Sequence, residues 1–177
     1  MSMHIRPMTV ADLQAHEAHF KRHQAENGRG DTGYFMPFEP DDEDATPSSF
    51  EPETLTRAVT EAGWRRHWLL LDGDRVVGDV NIKGPKLVTG LHRCVLGIGM
   101  EAPYRGQGHG RALMQAAIDY ARSTPSLTWL DLRVFGHNES ARALYRDMGF
   151  EETGLVRDCF RLGGDAVDDV MMTLSVG

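Results

Sequence analysis

Two groups of residues in this chain are spaced for chemistry. The first is Arg105-Gly106-Gln107-Gly108-His109-Gly110, a glycine-rich turn between an apolar run ending at Met100 and an amphipathic segment. Glycine accepts backbone angles that side chains forbid, so several amide N–H groups can converge at the start of a helix, where the helix dipole adds partial positive charge. Such a point holds an anion, and Arg105 adds a planar cationic fork suited to phosphate oxygens. The second group is Asn138, Ala141 and Tyr145, closing at Gly149-Phe150. Asn138 and Tyr145 are seven positions apart, about two helical turns, so an amide, a small gap at Ala141 and a phenol line one ridge. A ligand along that ridge could hydrogen-bond Asn138, pass over Ala141 and present its reacting atom to the Tyr145 hydroxyl. Read in order, residues 94–150 suit a carrier with a pyrophosphate at one end and an acyl group at the other.

These residues need a scaffold, and the composition bounds it. With 177 residues, 41% hydrophobic, the chain is long enough for one well-buried core, so a single domain over 1–177 is expected. A net charge of -7 argues against a general nucleic-acid or anionic-membrane binder. The two cysteines, Cys94 and Cys159, show no Cys-x-x-Cys or Cys/His spacing for zinc, so no metal is expected and both read as buried thiols in a reducing compartment. No leader-like segment and no long apolar run occurs, which predicts a soluble, cytoplasmic protein.

Along the chain, His4 to Met8 reads as a strand, and Thr9 with Asp12 as a helix start for a helix to about Glu26. Residues 27–52, with the acidic run Glu39 to Asp44, read as a long loop. Its Tyr34, Phe35, Met36 and Phe38 either fold back over a pocket or patch the core edge, and the acidic run reads as a solvated turn. Pro52 to Ala62 reads as a second helix, from Leu55, Ala58, Val59 and Ala62 at spacings of three and four. Trp64 to Leu71 and Val76 to Lys83 form a hairpin through Asp72-Gly73-Asp74. Leu91 to Met100 is a further strand, whose Gly97 and Gly99 mark a bulge or a close approach of another backbone, and the reacting end of the ligand is placed there. A helix with an apolar stripe runs from the glycine turn to about Ser123, a strand spans Trp129 to Phe135, and a helix spans Asn138 to Met148. Glu151 to Leu162 and Ala166 to Val176 form a terminal hairpin.

On these motifs the chain resembles the GNAT superfamily of acyl-CoA-dependent N-acetyltransferases. Arg105, Gly108 and Gly110 match the family's pyrophosphate motif, and Asn138, Ala141, Tyr145, Gly149 and Phe150 match its later segment; residues 28–50 depart from a minimal member. The resemblance implies an α/β (α+β) fold with a mixed, mostly antiparallel twisted sheet of about seven strands and about four helices. It also implies that the fourth and fifth strands splay apart to admit the pantetheine arm of acetyl-CoA, a co-substrate. The backbone of Ile98, Gly99 and Met100 would meet that arm, and Arg105, Gly106, Gln107, Gly108, His109, Gly110 and Arg111 its diphosphate, with Asn138, Ala141 and Tyr145 completing the site.

The mechanism the resemblance implies is direct attack by a neutral amine on the thioester in a ternary complex. Tyr145 would protonate the leaving thiolate, and Glu101 would take the amine's proton directly or through water. His137 is a further candidate for that proton. Asp168 and Asp169 point to opposite sheet faces, so one of them could bind an ammonium group; Asp79 and His92 have less to support them. The favoured acceptor is a small amine or amino acid. Alternatives are a protein N-terminus or lysine, or an acyl-CoA sensor without turnover. Exposed strand edges leave room for a homodimer.

Overall fold

The computed structural model describes residues 3–30, 32–42 and 51–177. Seven strands form one sheet in the order β1-β2-β3-β4-β5-β7-β6: β1 Met3–Pro7, β2 Arg65–Asp72, β3 Arg75–Lys83, β4 Arg93–Met100, β5 Trp129–Phe135, β6 Glu151–Leu162 and β7 Asp165–Ser175. All neighbours are antiparallel except β4 and β5. The hairpins follow from their turns: Gly73 after β2, and Gly163 and Gly164 after β6, sit at positive φ, the conformation that two-residue turns demand.

The sheet opens where the two halves meet. β4 stays paired with β3 as far as Met100, and β5 stays paired with β7 as far as Phe135. Between them only Arg93↔Trp129, Cys94↔Leu130 and Val95↔Asp131 are joined. Each strand keeps its antiparallel partner, so strand twist is relieved by separating the parallel pair. At the closed end the Arg93 guanidinium holds Asp131 at 2.9 and 2.6 Å and Thr173 at 3.1 Å. The expected splay of the fourth and fifth strands is therefore present.

Three α-helices flank the sheet among the described residues: α1 Leu13–Ala25, α2 His109–Arg122 and α3 Glu139–Asp147. The stripe of α2 (Leu113, Met114, Ala117, Ile118, Ala121) is buried with Trp68, Leu70, Leu96 and Tyr145 in the main core. The opposite face carries a smaller cluster of Met8, Leu69, Leu71 and Val76, with Leu13 of α1. Helix α1 buries no apolar stripe; its covered residues are His16, His19, His23 and Gln24.

The α-helix expected over Pro52 to Ala62 does not form, which leaves three α-helices among the described residues. Only a short 3-10 turn, Pro52–Leu55, is present. The Arg66 guanidinium takes the carbonyls of Leu55 and Arg57, both at 2.9 Å, which a continuing helix would have used four residues on. Part of the 27–52 loop, including Glu43 and Asp44 of the acidic run, lies outside the described residues.

Candidate active site

The wedge between β4 and β5 opens into a cleft of about 1110 Å³ that collects most of the residues singled out by sequence. Leu96 to Met100 form one wall, Leu132 to Phe135 the other. Asn138, Ala141, Leu144 and Tyr145 of α3 close one side, and Arg105, Gly106, Gly108, Gly110 and Arg111 form one end. Because β4 has no strand partner on this edge beyond Val95, its later backbone groups face the cleft rather than a ladder. A smaller hollow between α3 and the β6–β7 hairpin shares only His137 with it.

The glycine turn has the geometry of an anion cradle. Gly106 and Gly108 lie at φ 72 and 85, and a Cβ on either would meet open space. Substitution there would cost backbone strain and push a side chain into the volume a ligand needs. Gly108 caps α2, and the first helical hydrogen bond after it runs from Ala112 N–H to Gly108 O at 3.2 Å. The amides of His109, Gly110 and Arg111 precede it and are left for an outside acceptor. The turn thus fits a diphosphate through its main chain.

Three side chains of this turn do something other than face a phosphate. Arg105 donates to Met100 O at 2.8 Å and to Glu26 at 2.6 Å, with its guanidinium 5.0 Å over the Phe35 ring. Its fork therefore fastens the turn to α1. Gln107 turns back to Pro103 O at 2.7 Å, and neither it nor His109 lines the cleft. Among charged side chains, Arg111 remains at this end, tied to Asp147 at 3.1 Å.

On α3, Asn138 caps the helix by accepting from Ala141 N–H at 3.2 Å. Tyr145 is buried beside the wedge, and its hydroxyl makes no hydrogen bond among the described residues. Burial pushes its pKa up to about 12, which keeps it a proton donor.

Glu101 is not placed as a base. It lies outside the cleft lining, 3% exposed, and its carboxylate is held by His19 Nδ1 and Arg22 Nε at 2.9 Å and by Arg75 at 2.6 Å. Burial pushes its pKa up, but the hydrogen bonds from His19 and Arg22 win and hold it below the usual range. A carboxylate so paired is a poor proton acceptor. His137 is occupied too, with Nε2 2.7 Å from Tyr34 O. Asp169 does face the cleft, bound to Arg133, whereas Asp168 accepts from Asp158 N–H at 2.8 Å.

A second imidazole lining the cleft is His23, which sequence reasoning passed over. It stacks between His19 at 5.8 Å and Phe35 at 4.6 Å, against Gly99 of β4. Burial, then the charges of His19 and Arg105, lowers its pKa to about 3, so it is neutral near pH 7. The available signal was the spacing of His16, His19 and His23, which lie on one face of a helix. Gly97 and Gly99 admit side chains: a Cβ at 97 would stand 3.1 Å from Asn81, and one at 99 would stand 2.8 Å from His23. That corrects the expectation of a bulge or a backbone approach.

The loop does reach over the cleft. Thr32, Gly33, Tyr34, Phe35 and Pro37 line it. The fully buried Asn27 is the knot: it accepts from Phe35 and Met36 N–H at 2.8 and 3.0 Å and donates to Met36 and Phe38 O at 3.2 and 2.6 Å. Glu39, exposed as expected of a solvated turn, also accepts from the Tyr34 hydroxyl and Gly163 N–H, both at 2.9 Å, fastening the loop to the β6–β7 turn.

Comparison with known proteins gives the family and the fold. Residues 33–150 match the model of the acetyltransferase (GNAT) family. The chain is 26% identical over 156 residues to the uncharacterized N-acetyltransferase YycN of Bacillus subtilis, covering 88% of this chain and 97% of that protein. It is 39% identical over 67 residues to the N-alpha-acetyltransferase RimI of Mycobacterium tuberculosis, a match of 38% of this chain and 40% of that one. Among solved structures, an acetyltransferase of the GNAT family from Streptococcus pneumoniae has a TM-score of 0.81 at 21% identity, over 99% of this chain and 100% of that chain. The structure of yncA from Salmonella typhimurium with its cofactor acetyl-CoA has a TM-score of 0.77 at 15% identity, over 100% and 95% of the two chains.

Proposed function

The chain belongs to the GNAT acetyltransferase family, and from that premise we propose that it acetylates the primary amine of a small molecule or amino acid. The observation that carries this choice of acceptor is the loop fastened across the cleft by Asn27, His137 and Glu39. It puts Tyr34 and Phe35 where an extended peptide would need open surface. The remaining walls, Phe135, Phe160 and the Arg133–Asp169 pair, suit a compact amine with an apolar body.

Acetyl-CoA supplies the acyl group as a thioester. The amine nitrogen bonds to the carbonyl carbon, and the carbon–sulfur bond breaks to give an amide and a thiol. The amides at the start of α2 anchor the diphosphate, and the unpaired edge of β4 aligns the pantetheine arm and polarises the carbonyl. Tyr145 gives its hydroxyl proton to the departing sulfur. His23, neutral and facing the same cleft, accepts a hydrogen bond from the incoming amine and orients it, while the proton that the amine releases passes to solvent.

A second reading, acetylation of a peptide N-terminus, is favoured by the local identity to RimI. Thiol release from acetyl-CoA, measured across small amines, amino acids, polyamines, aminoglycosides and peptides, separates the two. The loop-covered cleft predicts turnover with a small amine and little with peptides. A peptide with a free N-terminus outperforming every small amine would replace the first reading with the second.

A further inference from the structure

Outside the acyl-transfer cleft, one buried cluster has the form of a ligand set. We propose that His16, His67 and Asp79 bind a divalent transition metal ion of the zinc type, tying α1 to the sheet. The three residues come from three elements. His67 pairs with Asn81 and Asp79 with Leu69, so His67 and Asp79 are diagonal neighbours on one sheet face. His16 descends onto them from α1, its ring 5.2 Å from that of His67 and edge-on to it. One ligand atom from each residue falls within 4.8 Å of the others.

Both imidazoles of the set address one carboxylate oxygen. His16 Nε2 lies 3.4 Å and His67 Nδ1 3.8 Å from the same oxygen, Asp79 Oδ2. Good N–H···O bonds are about 2.7–3.2 Å. Ligand atoms about 2.0–2.1 Å from a tetrahedral zinc ion stand about 3.3–3.4 Å from one another. His16 is 8% exposed, His67 2% and Asp79 13% at the side chain, so the site is shielded. Two imidazoles and a carboxylate are a donor set that suits zinc, and three protein ligands leave the fourth position for water. His19 lies beside the cluster, its Nε2 3.4 Å from Asp79 Oδ1.

The test is titration of zinc chloride into the chelator-stripped full-length protein, followed by calorimetry and thermal melting. One equivalent should bind with a dissociation constant below about 1 μM, and at a hundredfold excess over that constant the melting midpoint should rise by about 5–10 °C. His67→Gln and Asp79→Asn should each weaken binding at least about 100-fold, while His4→Gln, at an exposed strand residue, should not. Cobalt(II) bound to the wild-type protein should show the intense visible bands of a tetrahedral site, a readout that does not depend on the variants folding. Failure of the wild-type protein to take up one equivalent, an octahedral cobalt spectrum, or undiminished binding in both variants would overturn the assignment. Acetyl-CoA turnover is measured separately, so loss of this site would leave the acyl-transfer reading standing.

Discussion

His23 fills the space that a side chain at Gly99 would need: a Cβ on that residue would stand 2.8 Å from His23 Nδ1 and 2.9 Å from its Cε1. The ring has nowhere to retreat, because His19 and Phe35 stack on either side of it. Gly99→Ala should therefore displace the imidazole from the cleft, cost about 1–3 kcal/mol of stability and lower kcat at least about tenfold. Denaturant unfolding and thiol release measure the two effects. Adding His23→Ala should restore stability without restoring turnover; recovery of both would remove His23 from the reaction.

Tyr145→Phe should lower kcat about 100-fold and leave acetyl-CoA affinity within about twofold, because only the proton is removed. Equal losses in both would assign the phenol to binding. Its pH behaviour has a definite sign. Burial raises the folded pKa to about 12, above the usual value near 10. The stability linked to the neutral phenol is thus fully present below about pH 10 and is lost as pH rises towards about 12. In the phenylalanine variant, unfolding measured across that window should lose this component.

Gly108→Glu should weaken acetyl-CoA binding at least about tenfold by calorimetry. The residue sits at φ 85 at the head of α2, so a side chain there is strained and its charge opposes the diphosphate. Unchanged affinity would move the diphosphate elsewhere.

The two thiols should differ in reactivity. Cys94 is 1% exposed, and burial pushes its pKa up to about 12, whereas Cys159 is partly exposed on β6. A chromogenic disulfide reagent near pH 8 should modify Cys159 promptly and Cys94 only on unfolding. Two fast equivalents from the native protein would contradict the packing of β4.

The legible parts of the sequence were those with an apolar period or a glycine that only one conformation explains. Strand β5 was expected at its observed bounds and β6 likewise, and a helix over Asn138 to Met148 was anticipated where α3 runs. Gly106, Gly108 and the Gly163-Gly164 turn showed themselves through the backbone angles they allow. What escaped depended on distant partners. Leu55, Ala58, Val59 and Ala62 carry a helical period, yet the guanidinium of Arg66 competes for the carbonyls a helix would use. His16, His19 and His23 form a buried face made of residues that hydropathy reads as polar, so the acceptor side of the cleft had no apolar signature. Asn27 shapes the covering loop through four backbone contacts that no local pattern announces. Glu101 followed the fourth strand as a base candidate should, but Arg22 and Arg75, from distant segments, neutralise it.

The most direct measurement is a crystal structure of the protein with acetyl-CoA. The diphosphate should lie on the amides of Gly108 to Arg111, the pantetheine arm along the open edge of β4, and the sulfur within hydrogen-bonding reach of the Tyr145 hydroxyl. A diphosphate bound away from the start of α2, or a sulfur remote from Tyr145, would contradict the account.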